Sequence, residues 1–358
     1  MLLYFLAPLI GVAAGWLLFR RVRVLPTALK PHRPLHVSVI IPARNEEKNL
    51  PALLDSLQRG KMQPEEILVV DDHSTDRTAE IARSFGATLI HAEALPPGWT
   101  GKTWACAQGA SAAKGDMLLF LDADTQLGRD GLARMSAAYV ASSQPAALSV
   151  LPFHRMERPY EQLSLFFNLI MAAGAGGFSG LVAPQLFGQS LLIDRNLYDA
   201  TGGHGAVRHH VLENLHLASH VREAGGHPMP AIGEDVLTMR MFPEGVGQLT
   251  EGWTKGFAAG AANTPAITVW LIGLWIAGAM LAAINLFLAR SLSSGVATAI
   301  VYAFVALQCF LASRRLGSFK TCAVALYPVM LAYYLAIFAR SVILRRRGSG
   351  ATWKGRTL

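Results

Sequence analysis

The chain has 358 residues, 52% of them hydrophobic, and its mean hydropathy of +0.33 is too high for an ordinary soluble globular protein. Its formal net charge of +8 arises from basic residues beside apolar segments near both ends. No basic stripe with interleaved aromatics runs through the middle, which argues against nucleic acid as a partner. The three cysteines are scattered and fit neither a disulfide framework nor a zinc site.

Apolar stretches near both ends predict a multi-pass protein of the cytoplasmic membrane. Residues 1–19 are expected to form an anchor, because the stretch is uncharged and basic residues follow it. Three more spans, 266–289, 295–313 and 321–339, are expected within a membrane region at 266–340, followed by a basic tail at 341–358. Basic flanks place the intervening domain in the cytoplasm. Four crossings would leave the basic tail outside, so one segment is expected to be re-entrant or interfacial.

Residues 36–262 are predicted to form one α/β domain. In its first half, strands at 37–41, 67–70, 88–90 and 117–121 alternate with helices at 46–57, 76–85 and 102–113. This alternation predicts a mostly parallel sheet covered on both faces. Polar clusters at 42–46, 71–72 and 122–124 follow three of the strands. Ligands of such sheets bind beyond the carboxyl ends of the strands, so the clusters are expected to share one crevice.

The segment 162–193 is free of charged residues over 32 positions and is interrupted by glycine and proline. A fifth transmembrane helix is one interpretation of this composition. The preferred interpretation is a set of amphipathic helices that lie against the bilayer.

Asp122 and Asp124 are the main candidates for a metal site. Two carboxylates at the end of a strand can hold Mg²⁺ or Mn²⁺, which prefer oxygen ligands and are shared with substrate phosphates. The alternative is a chance pair in a loop. Lys102, near a helix start, is expected to add positive charge for the same phosphates, unless it is a solvated surface lysine. For Asp71 and Asp72 the alternative role is helix capping or turn formation.

Four segments in order, VSVIIPARNEE, EILVVDDHSTD, GWTGKTWA and FLDADT, resemble the inverting family 2 glycosyltransferases of the GT-A fold. The resemblance covers residues 37–262 and implies a UDP-sugar donor. It implies that Asp72 accepts from uracil N3 and that Asp124, with Asp122 beside it, holds the divalent cation on the diphosphate. The predicted donor-side residues are Pro42, Ala43, Glu46, Asp71, Asp72, Lys102 and Asp122.

Later segments, YDATGGH, MRMFPEG, LTEGWTKGFAAGA and WKGR, are similar to a membrane-bound subgroup of that family. The subgroup esterifies a carotenoid carboxylic acid with glucose from UDP-glucose, so the resemblance implies transfer of one sugar to a lipophilic acid. One alternative is the same chemistry on another lipid, such as polyprenyl phosphate, diacylglycerol or a hopanoid. A second alternative is a non-catalytic, nucleotide-binding membrane scaffold.

On the acceptor side the chain departs from the family pattern. Most family 2 enzymes have a Glu-Asp pair whose Asp is the general base, whereas this chain has Glu213-Asn214. Either Glu213 is the base, or the acceptor is a carboxylic acid that is already ionised and needs none. His204, His209 and Trp253 are candidate acceptor-side residues. The alternatives for them are solvated histidines and an interfacial anchor tryptophan.

Overall fold

The structure is a computed structural model and describes residues 2–21, 23–26, 35–142, 145–175, 178–262, 264–346, 352–353 and 356–357. The predicted basic tail therefore lies partly outside the described residues. The chain divides into two compact units, each discontinuous in sequence. The helical unit comprises Met1–Val22, Arg155–Ala183 and Met241–Ala351, and the sheet unit comprises Arg23–His154, Pro184–Arg240 and Thr352–Leu358. The predicted domain boundaries at 36–262 and 266–340 stay a prediction.

The strands of the described chain are β1 (Val37–Ala43), β2 (Glu66–Asp71), β3 (Thr88–His91), β4 (Met117–Leu121), β5 (Thr125–Leu127), β6 (Ala146–His154), β7 (Ser190–Asp194), β8 (His227–Met239), β9 (Thr352–Trp353) and β10 (Arg356–Thr357). The helices are α1 (Leu2–Phe19), α2 (Leu50–Gln58), α3 (Thr78–Ser84), α4 (Gly101–Ala112), α5 (Gly131–Val140), α6 (Leu165–Gly174), α7 (Arg195–Ala200), α8 (Gly203–Ala206), α9 (Glu213–Glu223), α10 (Val246–Ala262), α11 (Ala266–Leu288), α12 (Leu292–Ser313), α13 (Thr321–Ala325) and α14 (Tyr327–Arg346). A 3₁₀ helix, Pro159–Ser164, precedes α6.

The sheet unit is built on one eight-stranded sheet in the order β3-β2-β1-β4-β7-β6-β8-β5. The neighbours β3, β2, β1 and β4 are parallel, and β6 pairs in parallel with β8. Only β7 and β5 run against their neighbours in this sheet. The predicted mixed, mostly parallel α/β sheet is confirmed, and β1 is an interior strand with β2 and β4 on either side.

Side chains of β1 alternate between two hydrophobic cores, one on each face of the sheet. Val39 belongs to the core that also contains Leu53 and Leu54 of α2. Ile40 belongs to the opposite core, which includes Ala105 of α4. A Cβ at Gly109 would lie 2.4 Å from Ile40 Cγ2, so a glycine is required for α4 to pack this closely on the sheet.

Two boundaries in this region differ from the prediction. β1 does not stop before Pro42 but continues to Ala43, with Pro42 paired to Val70 of β2. Pairing with β4 ends at Ile40, so Pro42 has a strand partner on one side only and its missing N–H is tolerated. The following helix begins at Leu50 instead of residue 46, because the residues before it form a turn that contacts the β2–α3 loop.

Residues 162–193 were predicted to form amphipathic helices against the bilayer, with a fifth transmembrane helix as the alternative. The structure contradicts both interpretations. Ser190 to Ile193 belong to β7, in the interior of the sheet. α6 has ten residues, too few to cross a membrane, and eight of them are buried in the helical unit. It therefore has no wide exposed face to lie against a bilayer. The apolar composition reflects burial inside the protein, which a hydropathy pattern cannot distinguish from lipid contact.

The helical unit contains three helices that are long and apolar enough to cross a membrane: Ala266–Leu288, Leu292–Ser313 and Tyr327–Leu344. Large apolar side chains on them are exposed, including Trp270 at 72%, as expected of a lipid-facing surface. α1 adds a shorter apolar stretch, Leu6–Phe19. These helices indicate membrane association.

The third predicted span, 321–339, begins later than expected, because the short α13 is separated from α14. Pro328, in the first turn of α14, cannot donate a hydrogen bond to the preceding turn.

Candidate active site

Arg44 and Asp72 join the ends of β1 and β2. The backbone N–H of Asp72 donates to the carbonyl of Ala43 at 2.8 Å, which continues the strand pairing by one residue. Arg44 Nη1 donates to the Asp72 carbonyl at 2.9 Å and lies 3.6 Å from its Oδ2. Asp72 is only 4% exposed, so this guanidinium is the cation that compensates the buried carboxylate.

The other predicted nucleotide-side residues support the loops around this pair. Asp71 Oδ1 accepts from the backbone N–H of Ser74 at 3.1 Å, which is the turn-forming role. Glu46 donates its backbone N–H to Thr78 Oγ1 at 2.8 Å, and its carboxylate accepts from Asn49. These contacts hold the β1 and β2 loops against each other; direct nucleotide contacts by Asp71 and Glu46 stay predictions.

A small cavity in the sheet unit lies at the carboxyl end of β4. It is lined by Pro42, Lys102, Cys106, Phe120, Leu121, Asp122, Gly188, His204, Glu213 and Asn214. Pro42, Lys102, Asp122, Glu213 and His204 were predicted site residues, and the structure brings these five together around one cavity.

Lys102 is the centre of this cavity. Its Nζ lies 2.7 Å from Asp122 Oδ1 and 2.7 Å from Glu213 Oε1, and it donates to the Gly188 carbonyl at 3.0 Å. The lysine projects from the first turn of α4, whose Thr100 cap accepts from Thr103. One ammonium thus bridges the carboxylates of Asp122 and Glu213, and Lys102 is not a solvated surface residue.

Burial and charge shift the ionisation of this group in opposite directions. Burial lowers the pKa of Lys102, but the carboxylates of Asp122 and Glu213 outweigh it and the net pKa is raised. Burial raises the pKa of Glu213, and the neighbouring Lys102 partly opposes that rise. The lysine is therefore a permanent cation. Burial also raises the pKa of the Cys106 thiol, so Cys106 is a neutral wall of the cavity.

Asp122 and Asp124 lie in the turn between β4 and β5. Asp122 donates its backbone N–H to Gln189 at 3.1 Å, and Thr125 closes the turn on the Asp122 carbonyl at 3.1 Å. Within the described residues no three acidic, His or Cys side chains converge on one point. A divalent cation held by Asp122 and Asp124 stays a prediction.

Asn214 follows Glu213 at the start of α9. Its Nδ2 donates to the Phe187 carbonyl at 2.8 Å, so the donor end of the amide is fixed. Its Oδ1 is buried and has no hydrogen-bond partner among the described residues. The position that holds a carboxylate in most family members is here a neutral amide whose acceptor atom is available at the cavity.

His204 is 2% exposed and is held by Tyr198. Tyr198 Oη accepts the backbone N–H of His204 at 3.1 Å and lies 2.9 Å from His204 Nδ1. Phe120 packs edge-on against the imidazole, with 4.7 Å between the ring centroids. Burial, followed by the nearby charge of Lys102, lowers the pKa of His204 to about 3, so the imidazole is neutral.

The two remaining candidates do not line the cavity. His209 is exposed and contacts the ring of His210, with 4.0 Å between the centroids. Trp253 is buried in the helical unit, where it stacks on Phe167 at 4.7 Å and donates to Ser164 Oγ at 3.1 Å. Trp253 is therefore a core residue and not an exposed interfacial anchor. The acceptor roles of His209 and Trp253 stay predictions.

Sequence reasoning assigned no role to Arg44, Tyr198 or Gly203. Gly203 has φ +54°, and a Cβ there would lie 2.6 Å from the Tyr198 ring. The glycine pair in YDATGGH was the available signal, because adjacent glycines mark a close approach of backbone to another group. Arg44 had no comparable signal, since its partner Asp72 is adjacent only through strand pairing.

The chain belongs to glycosyl transferase family 2, whose model matches residues 38–215. It is 33% identical to 4,4′-diaponeurosporenoate glycosyltransferase of Staphylococcus aureus strain N315, over 97% of this chain and 94% of that enzyme. The same enzyme from strain USA300 is 32% identical over the same shares of the two chains. The predicted class, a glycosyltransferase with a carotenoid-related homologue, is confirmed.

A solved mannosyltransferase from Pyrobaculum calidifontis, in complex with GDP-Man and Mn²⁺, has a similar fold. The TM-score is 0.55 at 20% identity, over 95% of this chain and 96% of that chain. This similarity, together with the mixed sheet, confirms the predicted GT-A fold.

Proposed function

We propose that this enzyme transfers one sugar, glucose in the first instance, from a UDP-sugar to the carboxylate of a lipophilic acid, forming a glycosyl ester with inversion at the anomeric carbon. The observation that carries the proposal is the Lys102 bridge. It places Asp122, on the donor side, and the Glu213-Asn214 pair, on the acceptor side, around one cavity. The curated relatives, named for 4,4′-diaponeurosporenoate, support a carotenoid acid as the acceptor.

The donor half rests on the ends of β1, β2 and β4. Asp72, held by Arg44, would accept from the N3–H of uracil, which cytosine lacks. Lys102 and the N-terminal turn of α4 supply positive charge for the diphosphate. These groups bind the nucleotide and take no part in activating the nucleophile.

A divalent cation, Mg²⁺ or Mn²⁺, would be held by Asp124 and Asp122 and would neutralise the leaving diphosphate. The donor set fits this role, because hard cations of this kind use one or two carboxylates together with substrate phosphates. The Pyrobaculum structure, which contains Mn²⁺ and a nucleotide sugar, supports the same expectation.

The acceptor half favours a carboxylate nucleophile. An alcohol must lose its proton as it attacks the sugar, and this needs a general base within hydrogen-bond reach. Asn214 cannot take a proton, and Glu213 is engaged by the Lys102 ammonium at 2.7 Å. A carboxylic acid has a pKa of about 4 to 5 and is already ionised at neutral pH, so it attacks without a base. The bond formed is an ester C–O bond at the anomeric carbon, and UDP leaves with the electron pair.

The test is to incubate membranes with radiolabelled UDP-glucose and three acceptors in parallel: 4,4′-diaponeurosporenoic acid, polyprenyl phosphate and diacylglycerol. We expect label in a base-labile ester of the carotenoid acid, dependent on Mg²⁺ or Mn²⁺. The control is the Asp124→Asn variant, which should give no label. Label in the other two lipids alone would show that the acceptor assignment is wrong, while the donor assignment would stand.

A further inference from the structure

The neutral imidazole of His204 is the feature of the cavity that the proposed chemistry does not yet use. His204 lines the cavity with Lys102 and Glu213. Its Nδ1 is engaged by the Tyr198 hydroxyl, and among the described residues the structure shows no hydrogen bond to its Nε2. A buried imidazole with one nitrogen fixed and the other unused is arranged to hydrogen-bond a ligand.

The hydrogen bonds of Tyr198 determine which tautomer His204 adopts. Tyr198 Oη already accepts the backbone N–H of His204 at 3.1 Å, so its own proton is available for Nδ1 at 2.9 Å. If Nδ1 carried the ring proton and donated to Tyr198 Oη, the buried hydroxyl proton would have no acceptor among the described residues, at a cost of roughly 1 to 3 kcal/mol. With Nδ1 as the acceptor, the ring proton lies on Nε2, and His204 presents an N–H donor.

The backbone at Gly203 and the neighbouring aromatic rings fix the position of the His204 imidazole. Gly203 has φ +54°, and a side chain there would collide with the Tyr198 ring. Phe120 stacks on Tyr198 at 5.4 Å and packs edge-on against His204. The imidazole is thus fixed on two sides, by a hydrogen bond and by aromatic packing. Such fixation lowers the entropic cost of binding a ligand group.

We propose that His204 binds a carboxylate oxygen of the acceptor through Nε2–H, and that Tyr198 is the positioning residue that fixes this tautomer. The assignment rests on the proposed function and deepens it by naming how the acid is recognised. The Lys102 ammonium already donates its three protons to Asp122, Glu213 and the Gly188 carbonyl, so the Nε2–H of His204 is the donor that a carboxylate oxygen of the acceptor would use. An ester or an alcohol of the same polyene lacks such a charged acceptor oxygen.

The test compares binding of retinoic acid, a polyene carboxylate, with binding of its methyl ester to the purified enzyme in detergent micelles. We expect the wild type to prefer the acid by about tenfold or more, the usual contribution of one hydrogen bond to a charged group. His204→Phe keeps the ring packing but removes the donor, and should abolish the preference. His204→Gln, whose amide N–H can replace Nε2–H, should retain most of it.

Tyr198→Phe provides a second variant, which removes the hydroxyl and keeps the aromatic ring that stacks on Phe120. With the hydroxyl absent, His204 is free to adopt either tautomer, so the acid preference should fall about threefold while the KM for UDP-glucose stays unchanged. An unchanged acid preference in both His204→Phe and Tyr198→Phe would overturn the assignment. So would a rise in the donor KM equal to that in the acceptor KM.

The two proposals fail differently. If the wild type transfers sugar to no carboxylic acid, the proposed function is wrong. If it transfers sugar to the acid and His204→Phe still discriminates acid from ester, the proposed function stands and only the role of His204 is wrong.

Discussion

Replacing Lys102 with methionine should destabilise the sheet unit by about 3 kcal/mol. The oxygens of Asp122 and Glu213 each lie 2.7 Å from Nζ, so they are at most twice that distance apart, about 5.4 Å. Two like charges at this separation repel by about 3 kcal/mol at an effective dielectric constant of 20. If Glu213 takes a proton instead, keeping a carboxyl of ordinary pKa 4.5 protonated at pH 7 costs about 3 kcal/mol as well.

The measurement is the thermal midpoint of the purified protein in detergent, followed by intrinsic fluorescence. For a unit of this size 3 kcal/mol corresponds to a decrease of about 6 to 12 °C. Glu213→Gln is the matched control. The double variant Lys102→Met/Glu213→Gln should recover most of the lost stability, because the Asp122 carboxylate no longer faces a second negative charge. A Lys102→Met variant as stable as the wild type, or a double variant no better than it, would refute the bridge as an energetic unit.

Three further outcomes are expected. Asp124→Asn should reduce cation-dependent hydrolysis of UDP-glucose by about 100-fold, measured as UDP release, whereas Asp116→Asn, an exposed control before β4, should not. Asn214→Asp should raise transfer to retinol at least about tenfold by supplying a base, without raising transfer to retinoic acid; equal changes would count against base-free transfer. Because the pKa of His204 is lowered to about 3 from 6.5, the folded state binds fewer protons than the unfolded state in that window. Stability should therefore fall by up to about 1.4 kcal/mol per pH unit below 6.5, and less in His204→Gln, as thermal midpoints at pH 7 and pH 5 would show.

The position of the β2 and β4 ends could be predicted because it follows from strand order. Asp72 and Asp122 each come directly after a short apolar strand, and parallel strands place their carboxyl ends on one edge. The sequence also indicated Lys102, but not its two partners. The contact with Glu213 depends on how α4 and α9 pack, and nothing local in the sequence encodes that distance.

Residues 162–193 were harder to predict for a different physical reason. β7 lies between β4 and β6 and is buried on both faces, so its three central residues, Leu191 to Ile193, are all apolar. The preceding α6 is buried on nearly every side and has the same composition. Such runs match lipid-facing helices in hydropathy, and only their length and the final packing separate the two cases.

The net charge of the cavity predicts that a divalent cation also affects the binding of an anionic acceptor. Asp122, Glu213 and Lys102 together carry a net charge of −1, and Asp124 follows two residues after Asp122. An acid that approaches Lys102 is therefore repelled by the carboxylates, whereas an alcohol is not. If a cavity charge lies about 7 Å from the acceptor carboxylate and the effective dielectric constant is near 40, each unit of charge changes their interaction energy by about 1 kcal/mol. Saturating Mn²⁺ should thus tighten binding of retinoic acid severalfold and leave retinol nearly unchanged. Equal effects on the two ligands, measured by fluorescence titration with and without EDTA, would show that the acceptor does not enter this charged cavity as an anion.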